Sequence, residues 1–126
     1  MLSYENTWKE VEDAKPDGAV VGIGAIEQHG HHLPLNMDCL SAEYLARGIA
    51  EAFDWYMAPT LPIGASAEHM AFPGTLTLRS ETLIAIFSDI LDSVKSHGMT
   101  KLTIVSGHGG NWFLKMMVVN PSSAGS

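Results

Sequence analysis

Glu27, His29, Asp38 and His108 are the side chains whose types and spacing best suit chemistry. Glu27 and His29 are two apart, so in extended backbone both leave on the same side. Asp38 follows a loop long enough to fold back on them. His108 lies in the stretch Ser106-Gly107-His108-Gly109-Gly110-Asn111, where glycine lets the backbone approach whatever is held there. Two carboxylates and two imidazoles converging on one edge would suit Zn, Mn or Fe(II). A carboxylate has two oxygens, so Asp38 could bridge two ions about 3.5–4 Å apart. Such ions lower the pKa of water toward neutrality and polarise a carbonyl oxygen, and amide hydrolysis needs both.

Plainer readings stand beside these. Glu27 could be an exposed loop carboxylate, and Asp38 could simply cap the helix it opens, a role compatible with ligation. His31, His32 and His97 read as surface or supporting residues. Trp112 and Phe113 read as core, although Trp112 could also line a pocket. Cys39 has no base beside it in sequence and reads as buried filler rather than as a nucleophile.

The elements that must position these residues alternate along the chain. Apolar runs at residues 19–24, 56–59 and 101–105 predict three short strands, the first without alternation, as in a strand covered on both faces. Asp38 opens a helix in which Leu45, Ile49 and Phe53 recur at i+4. Ser80 can cap a second helix whose apolar face is Leu83, Phe87, Ile90, Leu91 and Val94, and Gly98 stands where a helix end wants a left-handed residue. A short helix is expected before the Pro16-Asp17-Gly18 turn and another over residues 112–119. Strands alternating with helices predict a parallel sheet with helices packed on it. Ligands in such sheets sit beyond the carboxyl ends of the strands, where Glu27, His29 and His108 fall. Residues 1–119 read as one domain and residues 120–126 as a disordered tail.

Composition narrows the partners. The 126 residues carry 14 Asp and Glu against 7 Lys and Arg, a net charge of −7, and 46% are hydrophobic. This excludes a disordered or collagen-like chain, and the acidic balance argues against nucleic acid. One cysteine forbids an internal disulfide and fits a reducing compartment. No apolar run reaches the roughly 18 residues of a membrane span and the N-terminus is unlike a signal peptide. The expectation is a cytoplasmic protein that meets neither membrane nor nucleic acid.

At these residues the sequence resembles a known family. The stretch from Gly22 through Glu27-Gln28-His29-Gly30-His31-His32 to Asp38 resembles the opening motif of the creatininase (creatinine amidohydrolase) family. Pro62-Ile63-Gly64-Ala65-Ser66-Ala67-Glu68-His69, with Phe72-Pro73-Gly74-Thr75, is similar to its second block, and Ser106 to Asn111 to its third. The resemblance implies a three-layer α/β/α fold with a mostly parallel sheet, assembly as a homo-oligomer, and a centre of two divalent ions (Zn, Mn or Fe). Such a centre hydrolyses a C–N bond of a small-molecule amide, often cyclic, or of a formamide, through metal-bound hydroxide. It also implies that Glu27 and His29 each bind one ion, that Asp38 bridges them and that His108 completes the first ion's shell. Glu68 and His69 would lie near the site or at a subunit contact.

Two features depart from the family pattern. In creatininase proper a Glu two residues after the third-block His binds the second ion, and here that position is Gly110. Family members are also about twice this length, and their later half carries a His-Ala-Gly…Glu-Thr-Ser block with no match here. The chain therefore reads as the N-terminal half of the fold: a truncated member, a fragment, or one whose C-terminus was replaced. Its alternative function is a catalytically inactive metal-binding or assembly module of the same fold.

Overall fold

The computed structural model describes residues 1–111. The helix expected at 112–119, Trp112 itself and the tail at 120–126 lie outside the described residues. Three parallel strands, β1 (Gly18–Ile23), β2 (Tyr56–Met57) and β3 (Lys101–Ser106), form one sheet in the order β2-β1-β3. Central β1 is buried at all six positions, and its side chains alternate between two helices. Ala19, Val21 and Ile23 pack with Leu83, Phe87, Leu91 and Val94 of α3 (Ser80–Ser96). Val20 packs with Met57 and with Ala46 and Ala50 of α2 (Met37–Phe53). Both faces are covered, which is why the run Ala-Val-Val shows no alternation of polarity. The result is three layers, helix on sheet on helix.

The topology follows from handedness. The chain leaves β1 through α2 to reach β2 on one side, then returns through α3 to β3 on the other. Each crossover between parallel strands is right-handed, so reversing the lateral direction puts the two helices on opposite faces. β2 is shorter than the expected run because Pro59 has no N–H for the ladder. The chain beyond it still follows β1, with Ala58 N donating to Val20 O and Leu61 N to Gly22 O, both at 2.9 Å.

The structure corrects three expectations about the helices. The stripe Leu45, Ile49, Phe53 is not the buried face of α2: Leu45 is 49% and Phe53 61% exposed, while Ala42, Ala46 and Ala50 are fully buried. The helix lies too close to β1 for large side chains, since a Cβ on Gly22 would come within 3.3 Å of Ala42 O. Alanines fill that contact, and Phe53 turns out to stack on Trp55 at 5.1 Å between ring centroids. Asp38 does not cap α2, whose N-cap is Asn36; Asp38 sits in the first turn, leaving its carboxylate free for other partners. Ser80 is the first helical residue of α3, after N-cap Arg79.

The apolar face of α3 is as expected, with Leu83, Phe87, Leu91 and Val94 buried, and Gly98 adopts φ +83° just past its end. The N-terminal helix α1 (Trp8–Ala14) is closed by a capping box in which Thr7 Oγ1 accepts from Glu10 N and Glu10 Oε1 accepts from Thr7 N.

Candidate metal centre

The carboxyl ends of β1 and β3 and the first turn of α2 converge on one point. The loop leaving β1 is held on both sides: Glu27 N donates to Leu35 O and Leu76 N to Ile26 O, each at 3.1 Å. That clamp leaves Glu27 only 4% exposed. His108 stands two residues beyond β3 with its side chain 8% exposed, and Asp38 and His29 are 14% and 26% exposed. The first turn of α2 can approach because glycines face it. A Cβ on Gly24 would lie 2.6 Å from Cys39 N, and one on Gly107 would strike the Asp38 carbonyl oxygen and stand 2.9 Å from Ala42 N.

The four sequence-predicted donors are within reach of one another. His108 Nδ1 faces Glu27 Oε1 at 2.9 Å and Asp38 Oδ2 at 3.0 Å. His29 Nε2 faces the other Asp38 oxygen, Oδ1, at 3.2 Å. Asp38 thus spans the two imidazoles, one oxygen to each. The remaining ring nitrogens are tied to the backbone, His108 Nε2 to Ala65 O at 2.8 Å and His29 Nδ1 to Glu27 O at 3.1 Å. A carbonyl accepts only, so these bonds put the ring proton on the tied nitrogen of each neutral imidazole. The free nitrogens then present lone pairs to carboxylates, an arrangement that repels unless a cation or an extra proton lies between. Metal-ligating histidines are oriented in this way, by a carbonyl on the far nitrogen.

Glu27 shows the same unmet demand. Burial holds its carboxyl above the usual carboxylate range, opposed by the His108 and His69 imidazoles. Its Oε2 is buried without a hydrogen-bond partner. His69 Nε2 stands 3.3 Å away but is not aligned to donate. A buried acceptor left unpaired costs about 1–3 kcal/mol, and a cation would satisfy it. The donor set, two imidazoles and two carboxylates, suits a borderline divalent ion.

Glu68 and His69 arrive on a 3-10 turn, Ala67–His69, at the mouth of the cluster. His69 Nδ1 is 3.4 Å from Gln28 Nε2. His31, His32 and His97 are exposed and make none of these contacts, and the Cys39 thiol donates to Pro62 O at 3.1 Å, its pKa raised chiefly by burial. Asn111 is a residue to which spacing assigned no role. Only 1% exposed, it donates through Nδ2 to Gly24 O at 3.1 Å and accepts at Oδ1 from Ala65 N at 3.0 Å. It joins the exits of β1 and β3 to the loop whose carbonyl orients His108. Its position beside a glycine-rich turn was the one available signal, since an amide is the side chain that both donates and accepts there.

The fold and the cluster together define a layered parallel α/β protein with a His–carboxylate site beyond the carboxyl ends of its strands. Residues 4–120 match the creatininase family, creatinine amidohydrolase, and the chain belongs to that family. It is 34% identical over 115 residues to the creatinine amidohydrolase of Pseudomonas putida, covering 85% of this chain and 44% of that one. It is 35% identical over 102 residues to the mycofactocin precursor peptide peptidase of Mycobacterium tuberculosis, covering 73% of this chain and 40% of that one. A solved structure described as creatininase Mn superposes with a TM-score of 0.80 at 32% identity, over 98% of this chain and 50% of that one. A putative creatinine amidohydrolase from Bacteroides fragilis does so at 0.73 and 30%, over 91% of this chain and 49% of that one. The chain spans about half the length of the relatives it matches. Among the described residues no helix is long and apolar enough to cross a membrane.

Proposed function

We propose that this chain carries the metal centre of an amidohydrolase that cleaves a C–N bond in a small-molecule amide, either cyclic or a formamide. One observation carries the reading: two imidazoles, each fixed by a backbone carbonyl, turn their free nitrogens onto Glu27 and Asp38 at 2.9–3.2 Å. Donors at about 2.1 Å from an ion in adjacent octahedral positions stand about 3.0 Å apart, which supports direct ligation. His29 and Asp38 Oδ1 would hold one divalent cation, and Glu27, His108 and Asp38 Oδ2 the other, with Asp38 between them. Ions of this kind supply an activated water and a polarised carbonyl. The relatives described as a creatinine amidohydrolase and as creatininase Mn support the class and the metal.

The chain's own residues have separable tasks. Asp38 and Glu27 bring the negative charge that retains cations in a site largely shut off from solvent. The Ala65 and Glu27 carbonyls hold the two imidazoles aimed at the carboxylates. His69, part-exposed at the mouth, accepts from Gln28 at Nδ1 and so carries its ring proton on Nε2, where it can be handed to a departing nitrogen. Trp112, outside the described residues, remains a proposed wall of the substrate pocket. A homo-oligomer is the proposed state in solution, because the outer edge of β3 is unpaired among the described residues and invites another strand.

Metal analysis of the purified chain, with hydrolysis of a panel of cyclic amides and formamides, tests the proposal. Chelation should abolish turnover and added Mn or Zn should restore it. Asp38→Ala should lose both ions and His29→Ala one. Unchanged metal content in Asp38→Ala would refute the assignment.

A further inference from the structure

Next to Glu27, His29 and Asp38 lies a second group of donors. The ligand atoms of Glu27, Glu68 and His108 also stand within 4.8 Å of one another. We infer that Glu68 is a ligand of the cation on the His108 side, closing its shell from the mouth of the site. The inference rests on the metal-dependent reading above and adds a ligand to it.

The first support is the orphaned oxygen. Glu27 is 4% exposed, its Oε1 faces His108 and its Oε2 is buried without a hydrogen bond. Glu27 belongs to both donor groups, and with one oxygen on His108 and the other unpaired it has acceptor capacity to spare for a cation beside Glu68. Glu68 itself is exposed and forms no ion pair among the described residues, so ligation breaks no existing interaction.

The second support is how firmly its backbone is held. On one side Ala65 accepts from His108 Nε2 and donates to Asn111, and on the other His69 packs 3.3 Å from Glu27 Oε2. Only the Glu68 side chain has to be ordered. Charge points the same way. Two divalent cations held by Glu27 and Asp38 alone leave two positive charges in a secluded site, and Glu68 reduces that excess to one.

The test is titration of the metal-stripped 126-residue chain with Mn2+ alone, followed by calorimetry and by the electron paramagnetic resonance signal of unbound Mn2+. The wild type should take up two Mn2+ per chain. Glu68→Gln should keep one at wild-type affinity and bind the second about 10–100-fold more weakly. His29→Ala should lose the other ion instead. Stripped of metal, Glu68→Gln should melt with the wild type, because the side chain is exposed. A Glu68→Gln titration superimposed on the wild type, or a wild type that binds a single Mn2+, overturns the inference while leaving the centre itself in place. If Asp38→Ala also binds both ions, the metal-dependent reading fails.

Discussion

Gly107→Ala should damage the candidate site without touching a ligand. The new Cβ would strike the Asp38 carbonyl oxygen and stand 2.9 Å from Ala42 N and 3.2 Å from Ala42 Cβ. Ordinary contact would move the first turn of α2 away from β3 by roughly 0.5–1 Å. That turn carries Asp38, so its 3.0 Å approach to His108 and 3.2 Å approach to His29 open by a similar amount. Overpacking of this kind costs about 1–3 kcal/mol. At about 3–5 °C per kcal/mol for a chain of this size, the melting temperature should fall by about 3–15 °C. Mn2+ affinity should fall by about 10–100-fold, as when ligands are no longer well aimed. Gly109→Ala is the control, because nothing lies within 4 Å of its Cβ. Differential scanning calorimetry with Mn2+ titration measures both effects. Equal melting temperatures and affinities in the two variants would refute the claim that glycine contact positions Asp38.

Other perturbations separate stability from site chemistry. Gly48 is exposed within α2 and its Cβ would meet nothing within 4 Å, so Gly48→Ala should stabilise the chain by about 0.5–1 kcal/mol, read from urea unfolding. Asn111→Ala should cost about 2–5 kcal/mol by the same measurement, since Gly24 O and Ala65 N lose buried partners. In metal-free protein the raised Glu27 pKa means that the native state holds its proton more tightly than the unfolded chain. Its contribution is then present below the ordinary carboxylate range of about 4.5 and lost as pH rises through the raised value. The wild type should therefore lose stability across that window when stripped of metal, and Glu27→Gln should not. Melting curves from pH 4 to 8 decide, and parallel curves would remove Glu27 as the cause. Saturating Mn2+ should reverse the loss in the wild type, by about 2.7 kcal/mol at one hundred times its Kd.

The strand–helix alternation was legible because each element announces its own period or its burial on both faces. The α3 face from Leu83 to Val94 follows the i, i+3, i+4 rule, and β1 is apolar throughout because helices cover both sides. Leu45, Ile49 and Phe53 mislead for a physical reason. Periodicity shows that a helix has an apolar stripe but not how close the sheet comes, and at this separation from β1 only alanine fits. The candidate residues stood out for a different reason: carboxylates and imidazoles beside glycine, gathered beyond the ends of apolar runs, are polar groups that need partners when buried.

Residue types, their order and the local periods were enough to set a parallel layered sheet, its carboxyl edge, and Glu27, His29, Asp38 and His108 as candidates that the fold then brings together. Those are properties of neighbours in the chain and of general rules for parallel sheets. Packing alone decided that Ala65 and Glu27 carbonyls aim the two imidazoles, that Asn111 ties together the exits of β1 and β3, and that Glu68 stands beside His108. Each of these contacts joins segments that only the assembled core brings together, at separations of tenths of an ångström that no spacing in sequence encodes.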